Sequence, residues 1–332
     1  MQDRRFFLMV LNLEKATQAQ LDDLTNRINN LVSKYTRGGQ ITDIQALTRE
    51  VNLVVDGYYR VFIEHMQITS EAVGSVRASQ AVEEMIPVLI KAGLYKEATQ
   101  LYNDVRNYAA SARKRLMLNK WAKDQVPLGY RIKTIKEGTQ KTVMNIIQQS
   151  FVEKKGSAEV AKLLEQYINP VSSAPSEKAR LAYIKKYGRP MNYTPKNVSP
   201  ATVRYQALRI ARTEMAHIYR QATLDFYEDK DYIKGYSWNL SNRHPRTDEC
   251  NDYSKIIYET REDIPEAHPN CLCDIRPVRM TEKEMKELRY GYEDSIYGGG
   301  PIGNQYRDAR GLFSNQLVGR HLEDINKVKM KG

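Results

Sequence analysis

The chain has 332 residues, 41% hydrophobic and 27% charged, enough apolar content to bury a core and to exclude a wholly disordered protein. Lys and Arg outnumber Asp and Glu by 51 to 40, a net charge of +11 that favours contact with a polyanion or an acidic protein surface, although no basic run dominates. The three cysteines all lie between Cys250 and Cys273; this excludes a secreted disulfide framework and fits a reducing compartment, where thiols bind metal or pack.

The N-terminal MQDRRFFLMVLNLEK has a charged start and a short apolar patch. Charge returns at Glu14 with no small-residue cleavage site, so no signal peptide is expected. No apolar run approaches the roughly 20 residues of a spanning helix. From Leu11 to Tyr35, Leu21, Leu24, Ile28 and Leu31 recur at helical spacing, and the run stops at Gly38-Gly39. A second helix begins near Thr42-Asp43, with Thr42 as candidate cap, and carries Ile44, Leu47, Val51, Val54 and Val55 on one stripe towards His65. Further helices are predicted over Glu71 to Ala92, Tyr95 to Trp121 and Thr139 to Tyr167, with breaks at Gly93 and Gln125 to Gly129.

Residues 1–168 therefore read as all-α without a fixed repeat: a bundle, or an elongated array lying against a larger partner. The density of Asn12, Gln18, Gln20, Asn26, Asn29 and Asn30 favours partner-dependent order at the N-terminus. His65 beside Glu64 reads as a solvated or packed histidine. Prolines and serines then punctuate Asn169 to Pro200, a domain boundary or connecting arm. Its Lys178, Arg180, Lys185, Lys186, Arg189 and Lys196, with Tyr183, Tyr187 and Tyr193, suit a solvated linker or a segment along a phosphate backbone.

Ser199-Pro200 is expected to open a long helix to Asp229, with Ala207, Ile210, Ala211, Glu214, Met215 and Ile218 on one face. Arg212 and Glu214 form either an ion-pair network tying the helix to the cysteine segment or the catalytic pair of a nucleotide transferase. No P-loop or GxGxxG accompanies them. Tyr232 to Leu240 alternates as a strand with Trp238 as packing anchor, and Asp274 to Pro277 is a short strand that the proline would end.

Between those strands lie His244, Cys250, His268, Cys271 and Cys273. Zinc takes four tetrahedral nitrogen or sulfur ligands in closely spaced groups, and four of these five are candidate structural Zn2+ ligands. His268 and Cys271 are spaced for a turn; Cys271 and Cys273 would share one face of a strand. A CxxC knuckle is incomplete because Tyr253 follows Cys250, so His244 or Asp248 must supply the missing ligand. A metal-free core of packed thiols and a catalytic metal with Glu249 or Glu266 as base remain open.

The ordered series ARTE (Ala211 to Glu214), GYSW (Gly235 to Trp238), HPRTDECNDYS (His244 to Ser254) and PEAHPNCLCDIRPV (Pro265 to Val278) resembles the minor head proteins of tailed bacteriophages, the Mu protein F-like head morphogenesis family. The resemblance covers residues 199–280, and the HPNC-x-C element after a lone upstream cysteine is its most distinctive part. The family's motif positions fall on Arg212, Glu214, Trp238, His244, Asp248, Cys250, His268, Pro269, Cys271 and Cys273; many relatives carry a second cysteine where this chain has Tyr253. The resemblance implies a low-copy virion component, made in the host cytoplasm and placed in the head interior or at the portal vertex. Its implied partners are the portal protein, the major capsid or scaffolding protein and packaged double-stranded DNA, with no membrane. Some relatives carry a toxin or transferase domain after this module; here residues 281–332 are too few for one.

The expected fold class is α+β, predominantly α. An elongated all-helical, portal-facing region (1–168) is followed by a Pro/Ser-rich linker (169–198). A Mu F-like module with a His/Cys-stapled segment (199–280) and a flexible helical tail (281–332) complete the chain. The expected function is structural and not enzymatic: head morphogenesis, DNA packaging or DNA delivery. The alternative is a zinc-dependent nuclease or hydrolase using His244, His268 and the cysteines, with Glu249 as base.

Overall fold

The computed structural model describes residues 4–38, 40–118, 126–169, 202–241, 244 and 247–288. Helix α1 (Arg4–Lys34) starts ahead of the expected Leu11, because Phe6, Phe7 and Val10 extend the buried stripe of Leu21, Leu24 and Ile28. It ends at Lys34, and the chain then forms a small antiparallel ribbon, β1 (Thr36–Arg37) with β2 (Gln40–Ile41), turning at Gly38 with φ 56°. The all-α expectation for this half is corrected by that ribbon: the glycine serves a hairpin turn and not a helix end.

Asp43 rather than Thr42 caps α2 (Ile44–Ala92), its carboxylate accepting from Ala46 N at 2.9 Å while Thr42 Oγ1 donates to Tyr35 O at 3.0 Å. The break expected between His65 and Glu71 is absent. Met66, Thr69, Ser70 and Val73 carry the buried stripe across, so 49 residues form one helix roughly 73 Å long. At Gly93 (φ 83°) the amides of Gly93 and Leu94 bond Ile90 O and Leu89 O at 3.0 and 2.9 Å, a Schellman closure. Helix α3 (Tyr95–Leu116) then packs along α2.

One helix was expected over Thr139 to Tyr167; two are found, α4 (Leu128–Val152) and α5 (Ser157–Ile168). Between them Lys154 takes a φ of 56° and Lys155 N bonds Ser150 O at 2.9 Å, which ends α4 ahead of Gly156. Helix α6 (Val203–Tyr227) is capped by Thr202, whose Oγ1 accepts from Tyr205 N at 3.3 Å. The expected cap at Ser199-Pro200, the Pro/Ser-rich segment beyond Asn169, Trp121 and the tail from residue 289 lie outside the described residues.

Helix α6 organises the fold. It packs against α1, α2 and α3, and also against β5 (Asp274–Arg279). Phe6 packs on Tyr219 with the rings tilted by 30° and centroids 4.4 Å apart, and Tyr108 meets Phe226 edge-on at 4.8 Å. Buried Arg77 of α2 donates from Nε to Thr223 Oγ1 at 2.6 Å and from Nη1 to Gln80 Oε1 at 3.0 Å, and Tyr219 OH donates to the same oxygen. Asp274, 1% exposed, has its carboxyl raised by burial, with Arg77 the largest opposing charge. The result is one core shared by the helices and the sheet.

The sheet is antiparallel in the order β4-β3-β5, with β3 (Ile233–Asn239) between β4 (Ile257–Tyr258) and β5. Strand β5 runs through Pro277, where an end was expected; on an edge strand the missing N–H interrupts no ladder. Between the strands lies a one-turn helix, α7 (Cys250–Tyr253), and residues 282–288 are helical after β5. The protein is thus predominantly α with a small α+β region near its C-terminus. Among the described residues no helix is long and apolar enough to cross a membrane.

Half-buried His217 has its imidazole depressed to about 3, first by burial and then by Arg220 and Arg261. Its contribution to stability is present above the ordinary value of 6.5 and is lost as pH falls from 6.5 towards 3. Urea unfolding at a series of pH values is expected to show stability declining across that window, with a flatter slope in His217→Gln.

Candidate metal centre

Local hydrogen bonds build the site in two halves. In the first, Asp248 Oδ1 accepts from Cys250 N at 2.8 Å and Asn251 Oδ1 accepts from Asp248 N at 2.9 Å, which starts α7 with Cys250 at its first position. In the second, Cys271 N bonds His268 O at 3.1 Å across Pro269 and Asn270, and Asn270 has a φ of 64°. Proline at the second position and left-handed asparagine at the third are what a type II turn demands. Asn270 N also donates to Thr213 Oγ1 of α6 at 2.9 Å, seating the turn on the long helix.

Cys271 and Cys273 precede β5 and do not lie on it, so the expected strand pair on one face is corrected. Their positions are set by other contacts. Arg220 Nη1 of α6 donates to Cys273 O at 3.0 Å and to Cys271 O at 3.4 Å, and Ser241 N donates to Cys273 Sγ at 3.4 Å. All three thiols are buried and free of disulfides.

The five expected ligands are brought together. His244, Cys250 and Cys273 form one group and Cys250, His268 and Cys271 another, the donor atoms within each lying within 4.8 Å of one another. Cys250 belongs to both. Cys250 Sγ and Cys271 Sγ are 3.7 Å apart, against the edge of about 3.8 Å that a tetrahedral zinc with 2.3 Å bonds to sulfur requires. Cys273 Sγ and His244 Nδ1 are 3.9 Å apart.

The imidazoles are oriented from outside the cluster. Asn251 Oδ1, which already accepts from Asp248 N, takes the Nε2–H of His244 at 2.8 Å and leaves Nδ1 as the lone pair turned to Cys273. His268 Nδ1–H donates to Pro269 O at 3.0 Å, and its Nε2 lies 3.2 Å from Asp248 Oδ2. Asp248 therefore sits between both rings, 3.4 Å from His244 Nε2. A second ring nitrogen held by a carbonyl is the usual outer support of a metal-binding histidine.

The sulfurs are electrostatically unequal. Hydrogen bonds from Cys250, then Cys273 and His268, hold Cys271 well below the usual thiol range, and the bond to Cys271 pushes Cys250 far up. Cys273 rises to about 11: its bond with Cys250 opposes the shift, and its bond with Cys271 together with burial outweighs that. His268 is raised to about 9 chiefly by its bond to the Cys271 sulfur. Three thiols and two imidazoles in a buried, preorganised cluster match the donor preference of zinc.

No family model matches this chain, and neither a curated protein nor a solved structure matches it. The motif residues can still be placed one by one. Trp238 is buried as the expected anchor, and Tyr253, at the position of the absent knuckle cysteine, packs edge-on against it with centroids 5.4 Å apart. The Tyr253 hydroxyl donates to exposed Glu249 Oε2 at 3.3 Å. Cys273 and His244 are thus the residues that lie near Cys250, while the tyrosine packs on Trp238.

Among the described residues, Arg212 pairs with α1 and not with the cysteine segment. Its Nε donates to Glu14 Oε1 of α1 at 2.6 Å, 198 residues away, with Glu14 only 4% exposed, while Glu214 is fully buried. A double-mutant cycle of Glu14→Gln and Arg212→Gln is expected to give singles costing about 1–3 kcal/mol and a favourable coupling in urea unfolding. Additive costs would show that the pair is not held. Residues that the motif pattern did not single out are Arg220 and Asn251. Arg220 was detectable as a charge on the second buried stripe of α6, with Ala216, Thr223 and Tyr227.

Proposed function

We propose that the protein is a structural minor head protein of a tailed bacteriophage, associated with the portal vertex and supporting head assembly, DNA packaging or DNA delivery. Four of Cys250, Cys271, Cys273, His244 and His268 hold a structural zinc in this reading. The observation that carries it is the use made of the motif residues. The cysteines are buried, both imidazoles are fixed from outside, Arg212 is committed to Glu14 and Glu214 is enclosed. Side chains spent on cross-linking the fold favour a staple over a reaction centre.

A bound zinc would supply the cross-link between the α7 segment and the turn before β5, where no disulfide is present. This chain's own residues do the rest: Asn251 and Pro269 O set the imidazoles, and Asp248 orders the start of α7. The portal protein is the principal partner, with major capsid or scaffolding protein as further candidates. A charge of +11 suits non-specific contact with the backbone of packaged double-stranded DNA.

The test is co-expression with portal protein, followed by pull-down and by density for the assembled particle. Co-purification, with a few copies at the portal vertex, is expected. A chain that ignores the portal and is missing from particles overturns the proposal. So does metal-dependent hydrolysis of DNA by the purified protein that is lost on changing His268.

A further inference from the structure

We propose that Arg220 is the positioning residue and counter-charge of the metal centre, an inference that rests on the zinc reading above. Arg220 projects from α6 and is only 4% exposed, and one guanidinium nitrogen, Nη1, bonds the carbonyls of both Cys273 and Cys271. Those two bonds hold the peptide units that follow Cys271 and Cys273. The backbone carrying the two sulfurs is therefore tied to a long helix packed against α1, α2 and α3, in addition to the local turn that presents Cys271.

Charge balance points the same way. Three thiolates, one neutral imidazole and a divalent cation leave a net charge of −1 in a buried place, which is costly without a nearby cation. The guanidinium lies directly behind two of the three cysteines. The neighbouring buried arginine, Arg77, is engaged elsewhere, with Thr223 and Gln80.

The two roles separate by substitution. Arg220→Lys keeps the charge but its single ammonium cannot hold the planar two-carbonyl grip; Arg220→Met removes both. The measurement is the rate at which full-length protein gives up zinc to a colorimetric chelator, with far-UV circular dichroism as the fold control. After cobalt substitution, the thiolate-to-cobalt absorption reports the sulfur geometry. Arg220→Met is expected to release metal about 10–100-fold faster with an altered cobalt band, and Arg220→Lys to fall between it and the unsubstituted protein.

An Arg220→Met protein that releases zinc at the unsubstituted rate overturns the role of Arg220 and leaves the zinc reading standing. Unsubstituted protein that holds no metal overturns both. Should the Met variant not fold, an Arg220→Lys protein with unchanged release and an unchanged cobalt band overturns the positioning role.

Discussion

Cys250→Ser is expected to weaken metal binding severely and to unravel the packing around β3 and β5 while leaving most helical signal in place. Cys250 is shared by both donor groups, so removing its sulfur leaves neither group with more than two ligands. Structural zinc contributes on the order of 10–16 kcal/mol to zinc-finger peptides, as much as the whole stability of an ordinary domain. Here the loss is local. Helix α6 is held on its other sides by α1, α2 and α3, through Phe6, Arg77 and Tyr108, none of which depends on the cysteines. Fluorescence of Trp238, read in a Trp121→Phe background, is expected to shift to that of a solvated indole in Cys250→Ser and on chelator treatment. Far-UV circular dichroism changes little. Retention of both zinc and the buried-indole spectrum by Cys250→Ser would sink the staple.

The second large effect is Gly235→Ala. Gly235 has a φ of 149° at the register shift between β3 and β5, and a Cβ built there would run into the backbone carbonyl of Tyr258 on β4. Neither conformation nor space admits a side chain, and backbone cannot swing aside as the end of a lysine can. The expected cost is roughly 2–4 kcal/mol in urea unfolding. Gly57 in α2 is the matched control, since its Cβ position is open. Gly57→Ala should stabilise by about 0.5–1 kcal/mol. Equal outcomes for the two glycines would remove the close approach of β4 as the reason for the glycine in GYSW.

What was legible in the sequence was local. The apolar spacing of Leu21, Leu24 and Ile28, the glycine end at Gly93 and the proline-asparagine turn inside HPNC each follow from residues within a few positions, and each is found. The five members of the His/Cys cluster were legible because residue type alone nominates them, and the fold brings them together. The continuity of α2 was not, because Thr69 and Ser70 look like a break and are tolerated only where neighbours bury them. Nor was the partner of Arg212, since an ion pair to Glu14 spans nearly two hundred positions and no spacing rule reaches that far. The gap left by Tyr253 misled in the same way. Cys273 and His244 come near Cys250 only in the folded chain, and the tyrosine packs on Trp238. Interactions set by tertiary geometry are those a linear pattern omits.

X-ray absorption at the zinc edge of the purified full-length protein tests the central claim most directly. One equivalent of zinc with three sulfurs at about 2.3 Å and one imidazole nitrogen at about 2.0–2.1 Å is the predicted result, a closed four-ligand site. Absence of zinc, or a shell of three protein ligands completed by a water oxygen, would contradict it.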